Sequence, residues 1–168
     1  MNSLDIIEQG RNSFSLSSDP EFFAVREGGT LSFVSLIGQI GGSKSYPKPM
    51  KDGQGFIQED NLAIEINPLP ANNKLEFLKN QSASYKGMKE IVEGLGYAVS
   101  DEVVAQFSEE ALSNPLAQES GCDRDFNAYT NRVFPKPKLS RTPIRTAGGH
   151  LHISFVPEEL EEELLIDD

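Results

Sequence analysis

The sequence predicts an α+β fold, a curved antiparallel β-sheet with helices packed on one face. Three observations predict it. The stretch "FIQEDNLAIEINP" alternates apolar and polar residues, the period of a half-buried strand. In "FFAVREGGTLSFV" two glycines stand between apolar runs, which is a hairpin signal. Between Asn73 and Leu95 the apolar period changes to steps of three and four residues, one face of an amphipathic helix. Alternation and hairpins together favour antiparallel order, because such sheets bury one face and wet the other.

The elements follow in order. Phe14, Leu16, Phe22, Phe23 and Val25 lead to the "EGG" turn, and Leu31, Phe33 and Val34 follow it. "GQIGGSKSYPKPMKDGQG" reads as a loop rich in Gly, Pro and Lys. The next stretch reads as one strand. Leu62, Ile64 and Ile66 face one way and Asn61, Ala63, Glu65 and Asn67 the other, with Pro68 and Pro70 closing it. In the helix, Leu75, Leu78, Tyr85, Met88, Val92 and Leu95 form the apolar stripe. Asn73 with Glu76 caps its start, and Gly94 and Gly96 end it. Ser108 caps a short helix in "SEEALSN", and residues 115–140 read as loop. "RTAGGHLHISFV" reads as a last strand whose Leu151, Ile153 and Phe155 face the core. Residues 1–156 form one core by this reading, and residues 157–168 an acidic helix or tail opened by Pro157.

Composition narrows the function. A net charge of -11 argues against nucleic acid as the main partner, since that affinity rests on clustered Lys and Arg. No apolar run is long enough to span a membrane, and the first residues lack a secretory pattern. The single cysteine, Cys122, forms no internal disulfide, fits a reducing compartment and reads as structural. The cytoplasm is the expected location.

Polar faces supply the candidate site. Both histidines of the chain, His150 and His152, share a strand face with Ser154. Asp19 and Glu21 share another, as do Asn61, Glu65 and Asn67. Gathered in one sheet, these carboxylates and imidazoles would repel unless a cation neutralised them. A His-x-His zinc site wants a third histidine, and the chain has none. Carboxylates must complete the set, which favours Mg²⁺ or Mn²⁺ and hence phosphate chemistry. The loop "GQIGGSKS" nearly matches a phosphate-binding P-loop, but Ser43 replaces its second glycine and "YPKP" forbids the helix that must follow. Lys44, and Lys48 beyond it, remain candidates for bringing a cation over an anion. Arg141 and Arg145 flank the histidine strand, and such an arginine grips a carboxylate or phosphate with two donors.

Five stretches in this order, "SSDPEFF", "IGGSKSYPKP", "QEDNLAIEINP", "GCDRDFNAY" and "RTAGGHLHISF", resemble the phage-encoded carboxylate–amine ligases of the glutamine synthetase-like superfamily. They span Ser17 to Phe155. The resemblance implies metal binding by Asp19, Glu21, Glu65 and His150, with Asp60 a companion. It implies that His152 and Ser154 lie near the phosphates of ATP, and beside them the residue reading sets Lys44 and Arg145 as candidate catalytic groups, Lys44 also for binding the cofactor. The implied reaction is ATP- and Mg²⁺-dependent amide formation from a small-molecule or peptide carboxylate and an amine, through an acyl phosphate, in the cytoplasm of the phage host. In the family further strands follow the histidine strand, whereas here only residues 155–168 follow Ser154. That departure implies a complementing chain, a homo-oligomer, or a protein that kept the fold without turnover. A metal-dependent hydrolase without ATP is the remaining alternative.

Overall fold

The computed structural model describes residues 14–26, 28, 32–119, 126–135, 139 and 142–155. Its centre is an antiparallel sheet in the order β3 (Ser32–Val34), β2 (Glu21–Arg26), β6 (Ala63–Asn67), β5 (Phe56–Asp60), β4 (Lys48–Pro49). A further strand, β7 (Ala98–Ser100), pairs with the second half of β2. The pairing of β2 with β3 is the hairpin that the glycine pair predicts. Most of its turn, residues 27 and 29–31, lies outside the described residues.

The stretch read as one strand from Phe56 to Asn67 is two. Asn61 and Leu62 make a two-residue turn, with Asn61 in the left-handed region at φ 57°. Asparagine tolerates that region better than other side chains, so it serves where tight hairpins need it. The turn pairs Asp60 with Ala63 and Gln58 with Glu65. Leu62 therefore leaves the helix side, where Ile64 and Ile66 lie, and packs on the opposite face.

Both faces of the sheet are covered. On one, helix α1 (Lys74–Gly94) packs Met88 and Val92, both fully buried, against Ala24, Ile57, Ile64 and Ile66. Burying two such side chains contributes about 1.5–3 kcal/mol each. Asn73 caps the helix as its sequence predicts, its Oδ1 accepting from the Glu76 amide at 2.9 Å. The stripe is shorter than expected, because Leu75 (79% exposed) and Leu78 (53%) extend beyond the sheet. The buried positions nearer the middle are Ser84 and Gly87, where the helix comes close to Gln54.

On the other face, Phe23 packs edge-on against Phe33 and Phe107. Leu62, Ala63, Ala105 and Ala117 complete that cluster. It is roofed by β8 (Val104–Gln106), the short helix α2 (Glu109–Leu112), capped by Ser108 as predicted, and β11 (Ile144–Thr146). Residues 115–118 form a 3₁₀ turn, and β9 (Phe126–Asn127) pairs with β10 (Arg132–Val133) within the stretch read as loop.

The last strand also divides in two, β11 and β12 (Leu151–Phe155). β12 pairs along its whole length with β1 (Phe14–Ser18). Backbone bonds from Asp19 to His150 and from Glu21 to Gly148 carry this pairing into β2, which curls the sheet. Leu151 (59% exposed) and Ile153 (63%) are not core residues, contrary to expectation. The ribbon of β1 and β12 stands beyond the two clusters, so nothing apolar among the described residues buries them. Cys122, Arg141 and the acidic segment 157–168 lie outside the described residues. Among the described residues, no helix is long and apolar enough to cross a membrane.

Candidate metal centre

Three adjacent strands each point one carboxylate to the same side. Glu21 on β2 lies directly opposite Glu65 on β6. Glu65 lies opposite Gln58 on β5, and Asp60 follows Gln58 by two residues. In strands, opposed residues and residues two apart share a face. The carboxylate oxygens of Glu21, Asp60 and Glu65 accordingly lie within 4.8 Å of one another. All three side chains are half-buried.

Like charges held this close raise one another's pKa. Burial, reinforced by Asp60 and Glu65 and opposed by the hydrogen bond from the Gly148 amide, pushes the Glu21 carboxyl up to about 7. That amide donates to Glu21 Oε2 at 2.8 Å. Burial also raises Glu65, with the charges of Asp19 and Asp60 adding to it, although Asn67 and Gln58 donate to its carboxylate. Asn67 Nδ2 reaches Glu65 Oε1 at 2.9 Å, while Asn67 Oδ1 is buried without a hydrogen-bond partner among the described residues. Gln58 is almost fully buried beneath the group. Sequence reasoning missed Gln58, because its alignment with Glu65 follows only once the turn at Asn61–Leu62 is recognised.

Asp19 is not one of the three clustered carboxylates. It sits where β1 hands over to β2 and binds both histidines. His150 Nδ1 lies 3.2 Å from each Asp19 oxygen, and His152 Nε2 lies 3.0 Å from Oδ2. The His150 amide also donates to Asp19 Oδ1. Burial alone would raise the Asp19 carboxyl, but the bonds from His152 and His150 outweigh it and hold it below its ordinary value. Asp19 thus orients imidazoles, as carboxylates behind metal-binding histidines do, and leaves Nε2 of His150 uncommitted to it. His152 and Ser154 share the exposed polar face of β12 with this pair, opposite Ser17 and Ser15.

The carboxylates border a cleft of about 490 Å³. Glu21, Asp60, Glu119, Gly148 and His150 form its polar part, and Phe23, Leu62, Ala63, Leu139 and Ile144 its apolar wall. Glu21, Asp60 and His150 meet there, and Glu65 adjoins them through the triad.

Arg145 lines the cleft, but its guanidinium is otherwise engaged. It donates to the carbonyls of Thr142 and Ala117, each at 2.7 Å, and of Ile144 at 2.9 Å. Its Nε is buried without a partner among the described residues. In this arrangement Arg145 staples β11 to the 3₁₀ turn and presents no fork to a ligand.

Lys44 does not line the cleft and sits in the turn closed by Ser43 and Tyr46. Lys48 is bound to the Ile40 carbonyl at 2.9 Å. The glycine-rich loop does cradle an anion, its own Glu59. The Gly38 amide reaches Glu59 Oε2 at 2.8 Å and the Gly41 amide reaches Oε1 at 2.7 Å. Both glycines have positive φ, 81° and 77°, which turns their N–H groups inward at no steric cost.

Carboxylate oxygens this close suit one hard cation, whose ligands lie 2.0–2.6 Å from it and hence no more than about 5 Å apart. The unpartnered Asn67 Oδ1 adds a neutral oxygen on the same strand face as Glu65. No family model, no curated protein and no solved structure matches the chain. What defines the class is therefore the architecture itself: an α+β protein with a curved antiparallel sheet and a carboxylate-lined cleft between its central strands and the histidine strand.

Proposed function

We propose that the cleft binds Mg²⁺ or Mn²⁺ and that the chain is an ATP-dependent carboxylate–amine ligase. One observation carries the metal reading: Glu21, Asp60 and Glu65, from three neighbouring strands, bring their oxygens within 4.8 Å of one another. Oxygen donors and clustered negative charge favour a hard divalent ion. The step from metal to ligase rests on the resemblance of the five motifs.

In this reading Glu21, Asp60 and Glu65 hold the ion, and Asp19 orients His150 beside them. A bound divalent ion would neutralise phosphate charge. A substrate carboxylate oxygen then attacks the γ-phosphorus of ATP, and ADP leaves. The amine nitrogen attacks the resulting acyl carbon, phosphate leaves, and the nitrogen gives up a proton. The apolar wall of Phe23, Leu62 and Ile144 limits water at such a centre. Positioning and electrostatics supply the catalysis, so the reaction needs no protein nucleophile.

A second reading, a metal-binding protein without turnover, is favoured by two observations. Arg145 spends its donors on carbonyls, and Lys44 lies off the cleft wall.

Calorimetric titration of ATP into the chain, with and without Mg²⁺, tests both. Mg²⁺-dependent ATP binding that Glu65→Ala abolishes supports the ligase reading. Metal binding without ATP binding supports the second. A folded chain that binds neither refutes the centre.

A further inference from the structure

The hairpin turn that carries Asp60 is held at two points by side chains outside the triad. On one side Glu59, the residue before Asp60, takes the Gly38 and Gly41 amides at 2.8 and 2.7 Å. On the other, Asn61, the residue after it, donates its Nδ2 to the Glu119 carbonyl at 3.0 Å. Glu59 and Asp60 point to opposite faces of β5, so the first anchor lies behind the sheet. Leu36 and Ile40 of the glycine-rich loop are buried in the core there. The second anchor lies on the cleft side, where Asn61 and Glu119 both line the wall.

Asp60 needs such anchoring. It is the last residue of its strand, next to a two-residue turn, and it faces two carboxylates that repel it. A tilt of the turn away from β2 would carry Asp60 out of the group. Strand ends open more readily than strand centres, because fewer ladder bonds hold them.

We propose that Glu59 and Asn61 are positioning residues that clamp Asp60 into the carboxylate triad. The clamp rests on the metal reading for its purpose but not for its existence. The glycine-rich loop thereby gains a function other than phosphate binding. It supplies the fixed end of one anchor, and Glu59 occupies the amides that an external anion would need. Groups that orient metal ligands from behind typically change affinity by about 10- to 100-fold when removed.

The test uses the whole chain in four forms: wild type, Glu59→Ala, Asn61→Gly and Asp60→Asn. Glycine at position 61 keeps the left-handed backbone and removes only the side-chain anchor. Mn²⁺ affinity is read by electron paramagnetic resonance, and amide hydrogen exchange is read by NMR on the metal-free chain. The clamp predicts about tenfold weaker Mn²⁺ binding in both Glu59→Ala and Asn61→Gly. It also predicts faster exchange confined to residues 60–63, and no Mn²⁺ binding by Asp60→Asn.

Unchanged exchange at the turn in both clamp variants overturns the proposal. So does wild-type Mn²⁺ affinity in both while Asp60→Asn loses it, a result that leaves the metal reading standing. If the wild type binds no Mn²⁺, the metal reading fails, and the exchange arm alone decides the clamp. A merely structural role for Glu59 would lower stability across the chain without this local pattern.

Discussion

Replacing Glu21 by glutamine probes the electrostatics of the cleft with no ligand present. The Glu21 carboxyl stands at about 7 instead of its ordinary 4.5, through burial first and then through Asp60 and Glu65. An acid whose pKa is raised by folding holds its proton more tightly in the folded state. Its contribution is therefore most favourable below the unfolded value and is lost as pH rises toward the folded one. For Glu21 that window runs from about 4.5 to about 7. At about 1.4 kcal/mol per tenfold change, the shift corresponds to at most about 3–4 kcal/mol. The side chain is only partly buried, so screening reduces this to about 1–2 kcal/mol.

Glutamine matches the shape, keeps an oxygen for the Gly148 amide and cannot ionise. Glu21→Gln is expected to exceed the wild type in stability by about 1–2 kcal/mol near pH 8 and to lose that advantage near pH 4.5. Glu65 is raised in the same direction, so the variant keeps a smaller pH slope of the same sign. Urea unfolding in the presence of a chelator, at several pH values, measures this. If the two proteins show the same pH slope, or if the variant is less stable near pH 8, the carboxylates do not oppose one another as the structure places them.

Three further outcomes follow from the same geometry. Because a cation must displace the Glu21 proton, Mn²⁺ affinity should rise with pH and level off above about 7; a pH-independent affinity would remove Glu21 from the centre. Arg145→Met should destabilise the chain by about 1–3 kcal/mol, since it strands the buried Ala117 carbonyl; a change well below about 1 kcal/mol in urea unfolding would mean that the staple contributes little. Asn73→Ala should cost about 1 kcal/mol through loss of the cap on α1, read as a lower thermal midpoint; an unchanged midpoint would show that solvent replaces the cap.

Local rules and tertiary contacts divided this protein between them. The sequence by itself determined what depends on neighbours along the chain. Helix α1 was legible from its period and from Asn73, because capping and periodicity are local properties. The antiparallel sheet, the candidacy of Glu21 and Glu65, and the shared face of His150 and His152 were legible from alternation, whereas Asp60 joins Glu65 on one face only because the chain turns at Asn61 and Leu62. What only the tertiary structure decided depends on which strands meet. Asn61 looked like a face residue until β5 and β6 paired around it, and that pairing set Gln58 beneath Glu65. That both histidines would contact Asp19 followed only once β12 lay beside β1. That the Arg145 guanidinium would reach the Ala117 carbonyl, 28 residues away, as well as its neighbours Thr142 and Ile144, was not legible from its place before the histidine strand. Leu151 and Ile153 had the alternation of buried residues, but burial requires an opposing layer, and the two layers of this fold end before they reach β12. Alternation specifies which residues share a face, and only packing specifies what that face meets.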